Sequence, residues 1–326
     1  MLPTISVAAR SSRDRINSKK ANFQTAGTQN YWNHGFTVNF SQPVFHWEHW
    51  VQLDQSSNRI AKAEADYQAE LQNLIVKTTE AYFNILAAED NLQFTVSELK
   101  AIERQLEQAQ QRFDVGLIAI TDVYEAQAGV DQARANQIDA ENNLDDSKEA
   151  LIEIIGEHKI ELNSLSKTIN LSPPSPNNSS EWSKVAETSN LTIISALNQA
   201  EVISSRSRQA HFDYKVAKEE LLSVKQQVKR RVRNSFRDIN SSINRVQALE
   251  AAVASAESSL EATLAGAEVG TRTMVDVLSE QKNLYRAKRD YSRTRYDYLI
   301  SGIKLKQAAS SLTEQDLELI NQYLIQ

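Results

Sequence analysis

Proline is absent from two long stretches of this chain, residues 44–172 and 177–326, and the 326 residues contain only eight glycines. Folds built from short elements need both residue types to form their turns. Their scarcity favours very long helices over most of the chain. No run of about 18 apolar residues occurs, which excludes a transmembrane helix but does not exclude a membrane β-strand.

The chain contains no cysteine. Disulfide frameworks, thiol catalysis and cysteine-based zinc sites are therefore excluded, and either a cytosolic or an oxidising extracytoplasmic compartment is compatible with this composition. The first residues, MLPT, have neither the basic nor the apolar region of a secretory signal. We expect any such signal to have been removed or to lie outside this chain.

Two segments with the same spacing of Val, Gly and Asp lie 154 residues apart: residues 115–123 read VGLIAITDV and residues 269–277 read VGTRTMVDV. The same offset, without gaps, pairs Tyr82 with Phe236, Asn84 with Asp238, Ile85 with Ile239, Leu106 with Leu260, Gln127 with Gln281, Ala133 with Ala287 and Leu151 with Leu305. In each duplicated unit of about 95 residues a glycine, Gly116 or Gly270, separates two periodic segments. Glycine is suited to end a helix at a turn. The repeat therefore predicts two helical hairpins.

Apolar residues recur every seven positions within both copies of the repeat. They are Ile85, Leu92, Leu99, Leu106 and Phe113 in the first copy and Ile239, Val246, Val253, Leu260 and Ala267 in the second. A sustained seven-residue period makes neighbouring helices supercoil around each other with a left hand. A helix from about Val51 to Phe113 would extend roughly 90 Å, more than the diameter of a globular domain of this mass. Small residues at 251–256 allow close packing on more than one side, which favours the wall of a tube.

The residues before Val51 show a different period. Ile5, Val7 and Ala9, and later Phe36, Val38 and Phe40, alternate with polar or small residues, which predicts two strands of up to about ten residues. The polar stretch between them, with Gly27 and Gly35, is suited to a hairpin loop. Aromatic residues flank the second strand: Tyr31, Trp32, Phe45, Trp47 and Trp50. They fit the interfacial girdle of a membrane strand pair, and an ordinary soluble hairpin explains these strands equally well. In the middle of the chain, a Ser- and Pro-rich linker at 172–180 precedes a predicted peripheral helix at about 181–209.

Several blocks in this order resemble the TolC-type outer-membrane efflux proteins (the outer membrane factor family). The blocks are AYFNIL at 81–86, QQRFDVGLIAITDV at 110–123, VGTRTMVDVL at 269–278, YDYLI at 296–300 and LTEQDL at 312–317. The resemblance covers most of the chain. It implies a mainly α fold with a small β part, in which three copies form an α-barrel tunnel in the periplasm that continues an outer-membrane β-barrel.

The same resemblance implies a passive exit duct, without enzymatic activity or cofactor, for multidrug efflux pumps and type I secretion. Its partners would be two further copies of the chain, a periplasmic adaptor protein, an inner-membrane transporter and the lipid of the outer membrane. On this basis we expect a β-hairpin at 1–50, a first long helical hairpin at 51–156, a linker and peripheral (equatorial) helix at 157–210, a second long hairpin at 211–310 and a C-terminal equatorial segment at 311–326.

One departure from the family concerns the strands, because family members carry a β-hairpin in each half. Here residues 206–210 run directly into 211–213 without a second pair of alternating strands. Three copies would supply six strands, whereas about eight are needed to close the smallest membrane barrels. We therefore expect that the chain as written does not complete a barrel.

The resemblance also assigns roles to residues at the two matched loops. The family closes its entrance with polar links between the inner and outer hairpins, and the matching positions here are Thr121, Asp122 and Arg272. Arg272 can donate two hydrogen bonds to Asp122, a geometry that Lys cannot reproduce. The family's tyrosine in this network corresponds to Ala267, so one link is absent.

Asp276 matches the outer of two acidic rings at the family's constriction, and Ser279 replaces the inner one. Three carboxylates around one axis would favour cations. Alternatively, Asp122 and Asp276 are only helix N-caps after a turn, which leaves Arg272 unexplained.

Other candidate sites are weaker. The basic run KRRVR at 229–233 lies within a predicted helix of a chain with net charge −6, which favours a solvated or inter-subunit helix face over a nucleic-acid site. His46 and His49 have the spacing of metal ligands on a helix, but no third ligand follows, and we predict no metal site. A second function remains open at this point: a soluble periplasmic coiled-coil adaptor or scaffold without a pore.

Overall fold

The computed structural model describes residues 3–18, 27–42, 47–157, 162–166, 169–203 and 208–324. The elements are β1 (Thr4–Ser18), β2 (Gly27–Ser41), α1 (Trp47–Asp114), α2 (Ile120–Ile155), α3 (Ser179–Ser189), α4 (Leu191–Val202), α5 (Arg208–Glu268), α6 (Met274–Ala308) and α7 (Glu314–Asn321). The chain divides into two compact units, Met1–Ser57 and Asn58–Gln326. Among the described residues, no helix has an apolar stretch long enough to cross a membrane.

The first unit contains an antiparallel strand pair that is longer than predicted. β1 and β2 pair along fifteen residues each, from Thr4 opposite Ser41 to Ser18 opposite Gly27. Gly27 and Gly35, predicted to lie in the loop, are instead the first residue and an interior residue of β2. The prediction was wrong because the apolar alternation marks only one end of the ladder, whereas backbone hydrogen bonds continue through the polar residues beyond it.

The second unit contains most of α1 and the other helices that the seven-residue period predicted. All ten heptad residues are buried or half-buried. Ile85 packs with Leu144 and Leu151 between α1 and α2, and Ile239 packs with Leu305 between α5 and α6. α1 begins at Trp47 and α5 at Arg208, four and three residues earlier than the predicted hairpins.

Two short helices replace the single peripheral helix expected at 181–209. The break lies at Asn190, whose side-chain Oδ1 accepts hydrogen bonds from the backbone N–H groups of Thr192 (3.1 Å) and Ile193 (3.3 Å). An Asn in this position starts a new helix by satisfying its free N–H groups. Asn190 also donates through Nδ2 to the carbonyl of Ala308 at 2.9 Å, so the cap of α4 is tied to the end of α6.

Polar side chains join α1 to α6 over the middle of both helices. Arg289 Nη1 lies 2.7 Å from Glu98 Oε2, and the Glu98 side chain is only 4% exposed. Asp90 accepts hydrogen bonds from Ser292 and, at 2.8 Å, from the Tyr296 hydroxyl. Burial, and then the charge and hydrogen bond of Asp90, raise the pKa of Tyr296 above its ordinary value. These links connect the two helical hairpins within one chain.

The C-terminal segment packs on the linker. The backbone N–H of Ser166 donates to the carbonyl of Tyr323 at 2.8 Å, and Leu165 and Leu324 form an isolated antiparallel bridge. Parts of the predictions lie outside the described residues: Phe45 and His46, and residues 204–207 at the junction where a second hairpin would be expected. The side chains of Trp47 and His49 are likewise not described.

Candidate gate at the helix tips

The turns between α1 and α2 and between α5 and α6 have the same backbone geometry. Gly116 and Gly270 have φ values of 75° and 78°. The following residues, Leu117 and Thr271, each donate a backbone hydrogen bond of 2.8 Å to the carbonyl five residues earlier. The glycine N–H groups in turn bond the carbonyls three residues earlier, at 2.8 and 3.3 Å. This is the Schellman arrangement, in which a left-handed glycine ends the helix. Both glycines therefore act as helix-ending residues.

The two turns differ at the start of the helix that follows. In the second turn Thr273 caps α6: its hydroxyl accepts from Asp276 N at 3.2 Å, and the Asp276 carboxylate accepts from Thr273 N (2.9 Å) and Oγ1 (3.0 Å). In the first turn the equivalent capping position is Ala119, and no side chain caps α2. The interpretation of both aspartates as helix N-caps is therefore wrong. Thr273 is the N-cap of α6 and Asp276 is its partner at the third helical position, in a capping box, while Asp122 does not cap α2.

The pKa of Asp276 lies below its ordinary value. The causes are the hydrogen bonds from the backbone and the side chain of Thr273, followed by the nearby charge of Arg272. Asp276 therefore carries its negative charge throughout the physiological pH range.

Arg272 is exposed and lies against Gly266, a residue to which no sequence pattern assigned a role. The carbonyl of Gly266 accepts three hydrogen bonds, from Thr271 N (2.8 Å), Thr271 Oγ1 (3.0 Å) and Arg272 N (3.2 Å). A Cβ placed on Gly266 would lie 2.7 Å from Arg272 Cγ. The sequence signal that could have identified Gly266 is its position inside a predicted helix, where glycine is unfavourable.

The predicted pair between Arg272 and Asp122 is not formed within a single chain. Thr121 is exposed and Asp122 is half-buried in the first turn of α2, yet among the described residues no ion pair or hydrogen bond joins either of them to Arg272. Among the described residues, a different polar contact connects the two tips in one chain. It runs from Arg112 Nη2 to the carbonyl of Glu268 at 3.3 Å.

Apolar contacts hold the start of α6 against α1 and α2. Met274 packs on the cluster of Ala109, Val123 and Ala126. Leu278 packs on Ile102, which belongs to the next cluster. The tip of the second hairpin is therefore seated on the first hairpin, while the polar side chains of Asp122 and Arg272 remain unpaired with each other.

The basic run at 229–233 lies within α5. Lys229 forms an ion pair with Glu187 on α3, and Val232 is completely buried in the core next to Trp182. Arg230, Arg231 and Arg233 are exposed, so most of the basic charge of this run lies on the surface of α5.

Comparison with known proteins identifies the family to which these paired helical hairpins belong. The profile of the family described as outer membrane efflux protein matches residues 1–157 and 168–311. The chain belongs to the outer membrane efflux protein family. The predicted resemblance is thereby confirmed, together with the outer-membrane location and the absence of an enzymatic role.

Individual relatives agree with this assignment. Outer membrane protein TolC of Vibrio cholerae is 34% identical over 342 aligned positions, which cover 87% of this chain and 78% of the relative. Alkaline protease secretion protein AprF of Pseudomonas aeruginosa is 23% identical and the alignment covers 87% of this chain and 71% of the relative. The 342 positions exceed the 326 residues of the chain, so the TolC relative carries residues that have no counterpart here.

A solved structure shows the same fold. The outer membrane protein VceC of Vibrio cholerae superposes with a TM-score of 0.69 at 15% identity, covering 94% of this chain and 87% of that chain. The predicted fold class, mainly helical with a small β part, is confirmed. The matching family and the TolC relative identify the chain as an efflux or secretion channel of the outer membrane, and the alternative of a pore-less periplasmic adaptor is not supported.

Proposed function

We propose that three copies of this chain form a passive exit duct whose periplasmic entrance is closed by a bond from Arg272 of one copy to Asp122, beside Thr121, of the next. The observation that carries this proposal is the geometry of the tips. Arg272 and Asp122 belong to turns that lie side by side, and neither is paired with the other within the chain. A bond between copies would satisfy both residues.

Such a gate would be weak enough to open. An exposed ion pair contributes about 0–1 kcal/mol, and three-fold symmetry repeats it three times. The buried links between α1 and α6, such as Glu98 with Arg289, hold each protomer together independently of the gate. Opening would then cost the tip bonds without unfolding the protomer.

The gate is tested by the conductance of the purified protein in planar bilayers. We expect Arg272→Ser to raise the conductance because the tip bonds are lost. Arg286→Ser removes another exposed arginine of α6 and should leave the conductance at the wild-type value. Equal conductance of the Arg272→Ser variant and the wild type would show that Arg272 does not help to close the entrance.

We propose further that Asp276 forms a ring of three carboxylates that favours cations. The ionised state of its carboxylate supports this role. Asp276→Asn should lower the cation preference measured from reversal potentials. Thr273→Ala is the matched control, since it removes the capping hydroxyl and keeps the charge. If Thr273→Ala changes the preference as much as Asp276→Asn, helix capping and not the ring charge is responsible.

The partners we propose are a periplasmic adaptor and an inner-membrane transporter that engage the tips, for drug efflux and for type I secretion. The supporting observation is the exposure of apolar side chains at both turns: Val115 is 70% exposed and Val269 is 75% exposed. We expect Val269→Asp to abolish export in cells. Ile138→Asp, at an exposed position within α2, is the control. Export that survives Val269→Asp would argue against docking at the tips.

We propose that β1 and β2 lie in the outer membrane as part of the duct, and the mass of the protomer tests how this part is completed. Three copies of β1 and β2 supply six strands, fewer than the eight of the smallest closed membrane sheets. We propose that closure needs strands beyond those of the described residues. If the purified protomer is heavier than 36.7 kDa, its additional residues can supply these strands. A protomer of 36.7 kDa that conducts ions would contradict this requirement.

A further inference from the structure

The two faces of the β1–β2 hairpin differ in composition. Residues paired across an antiparallel ladder share a face, so Ile5 with Phe40, Val7 with Val38 and Ala9 with Phe36 form one apolar side. The opposite side carries Thr4, Ser6, Asn39, Ser41 and other polar residues. In a membrane strand pair the apolar side faces lipid. The hairpin thus has an apolar side, the one that would face lipid, and this side can be followed along the ladder.

Further along the same side, the apolar pairs give way to basic and aromatic ones. The next pairs are Ser11 with His34, Arg13 with Trp32 and Arg15 with Asn30. The Arg13 guanidinium lies 5.8 Å from the centre of the Trp32 ring. Trp32 in turn stacks with His34 at 6.0 Å, and His34 hydrogen-bonds Ser11 at 3.0 Å.

No anion of the described chain neutralises these arginines. Among the described residues, no carboxylate lies within 4.0 Å of Arg13 or Arg15, and the acidic residue between them, Asp14, belongs to the opposite side of the ladder. Two positive charges therefore project on the side that carries the apolar stripe.

We propose that Arg13 and Arg15 bind the phosphate groups of the lipid around the hairpin. From Ile5 to Arg13 the strand rises about 27 Å, which at the usual strand tilt corresponds to roughly 20 Å across the membrane. This height is close to that of the apolar band of membrane strand pairs, which aromatic residues flank. Trp32 therefore lies at the interface, and the arginines reach the depth of phosphate-bearing headgroups. The inference rests on the proposed placement of β1 and β2 in the membrane.

The test measures binding of lipid A to the purified protein in detergent, by native mass spectrometry. Bisphosphorylated lipid A is the probe, and lipid A without phosphates is the reference. Each arginine near an anionic lipid surface is expected to contribute about fivefold in affinity. Arg13→Gln should therefore weaken binding of the bisphosphorylated form about fivefold, and the variant with Arg15→Gln added should bind both forms equally.

Arg10→Gln is the matched control, because it removes the same charge from the opposite side of the same strand. It should leave lipid binding unchanged. An equal loss in Arg10→Gln and Arg13→Gln would overturn the proposal, because net charge alone would then explain binding. Displacement of lipid A by millimolar inorganic phosphate would also overturn it, since that result indicates a site for free anions.

A second measurement separates this inference from the proposed placement. Because the chain has no cysteine, Val38→Cys offers a single position for an environment-sensitive fluorophore on the apolar side. If the fluorophore emits as it does in lipid but replacement of both arginines leaves lipid A binding unchanged, this inference is rejected and the membrane placement stands. Emission typical of water in lipid vesicles would reject the membrane placement itself.

Discussion

The side chain of Arg272 lies directly over Gly266, where a Cβ would approach Arg272 Cγ to 2.7 Å. A glycine inside a helix is normally a weakness, and its replacement by alanine at a free position stabilises the helix. At Gly266 the same replacement must move Arg272, because the added Cβ would clash with the Cγ of that side chain and not with its freely rotating end. The position of Arg272 is therefore coupled to the absence of a side chain at 266.

We predict that Gly266→Ala changes the channel in the same direction as Arg272→Ser, raising conductance in planar bilayers. Gly302→Ala is the control, since a Cβ there would meet nothing within 4 Å. The variant that combines Gly266→Ala with Arg272→Ser should conduct like Arg272→Ser alone. Additive effects would show that Gly266 acts on the channel by another route.

The buried pair of Glu98 and Arg289 gives a prediction for stability. Arg289→Met leaves the buried carboxylate without its partner, and loss of one member of such a pair costs about 3–5 kcal/mol. The free energy of unfolding, from denaturant titration in detergent, should fall by this amount.

The control for that prediction is Lys288→Met on the same helix. Lys288 pairs with Glu257 at 2.8 Å, and the two side chains are 31% and 53% exposed. An exposed pair contributes about 0–1 kcal/mol. If the two variants lose equal stability, burial of Glu98 is not what makes its pair important.

The unequal caps of the two tips predict unequal local stability. Thr273→Ala removes the capping hydroxyl of α6 and should cost about 1 kcal/mol, measured as faster hydrogen–deuterium exchange over the first turn of α6. The reciprocal change, Ala119→Ser, supplies a capping residue to α2 and should slow exchange there. Exchange rates that stay unchanged in both variants would contradict the roles assigned to these caps.

The same cap predicts a dependence on acid. Because Thr273 holds the pKa of Asp276 below its ordinary value of 3.8, the carboxylate stabilises the folded tip fully above that pH, and this contribution disappears as the pH falls through the lower, folded value. Exchange at the start of α6, corrected for the intrinsic effect of pH, should accelerate in this window. Asp276→Asn should abolish the dependence, and a dependence that persists in this variant must arise from another group.

Much of the helical architecture was predictable because it depends on local patterns. The seven-residue period at Ile85 and Ile239 identified the packed faces, and Gly116 and Gly270 identified the ends of the helices. The break at Asn190 was missed because the sequence on both sides of it has a helical pattern. Only the hydrogen bonds from Thr192 and Ile193 to the Asn190 side chain divide this segment into two helices.

Contacts between distant segments were not predictable from these patterns. The pair of Glu98 and Arg289 joins residues separated by 191 positions, and no periodicity indicates which charge on α1 will meet which charge on α6. The contact of Gly266 with Arg272 was likewise not predictable, because it depends on the path of the loop between α5 and α6. The residues of the candidate gate came from resemblance, and the bond between Arg272 and Asp122 stays a prediction.

The matching turns at Gly116 and Gly270 show how a duplicated unit can diverge. In each turn, main-chain hydrogen bonds and one glycine end the preceding helix. The shape of the turn therefore hardly depends on the neighbouring side chains. After duplication, the position before the capping residue became Ile118 in one copy and Arg272 in the other while the backbone path stayed the same. An asymmetric pair of surfaces thus arose from two copies of one scaffold.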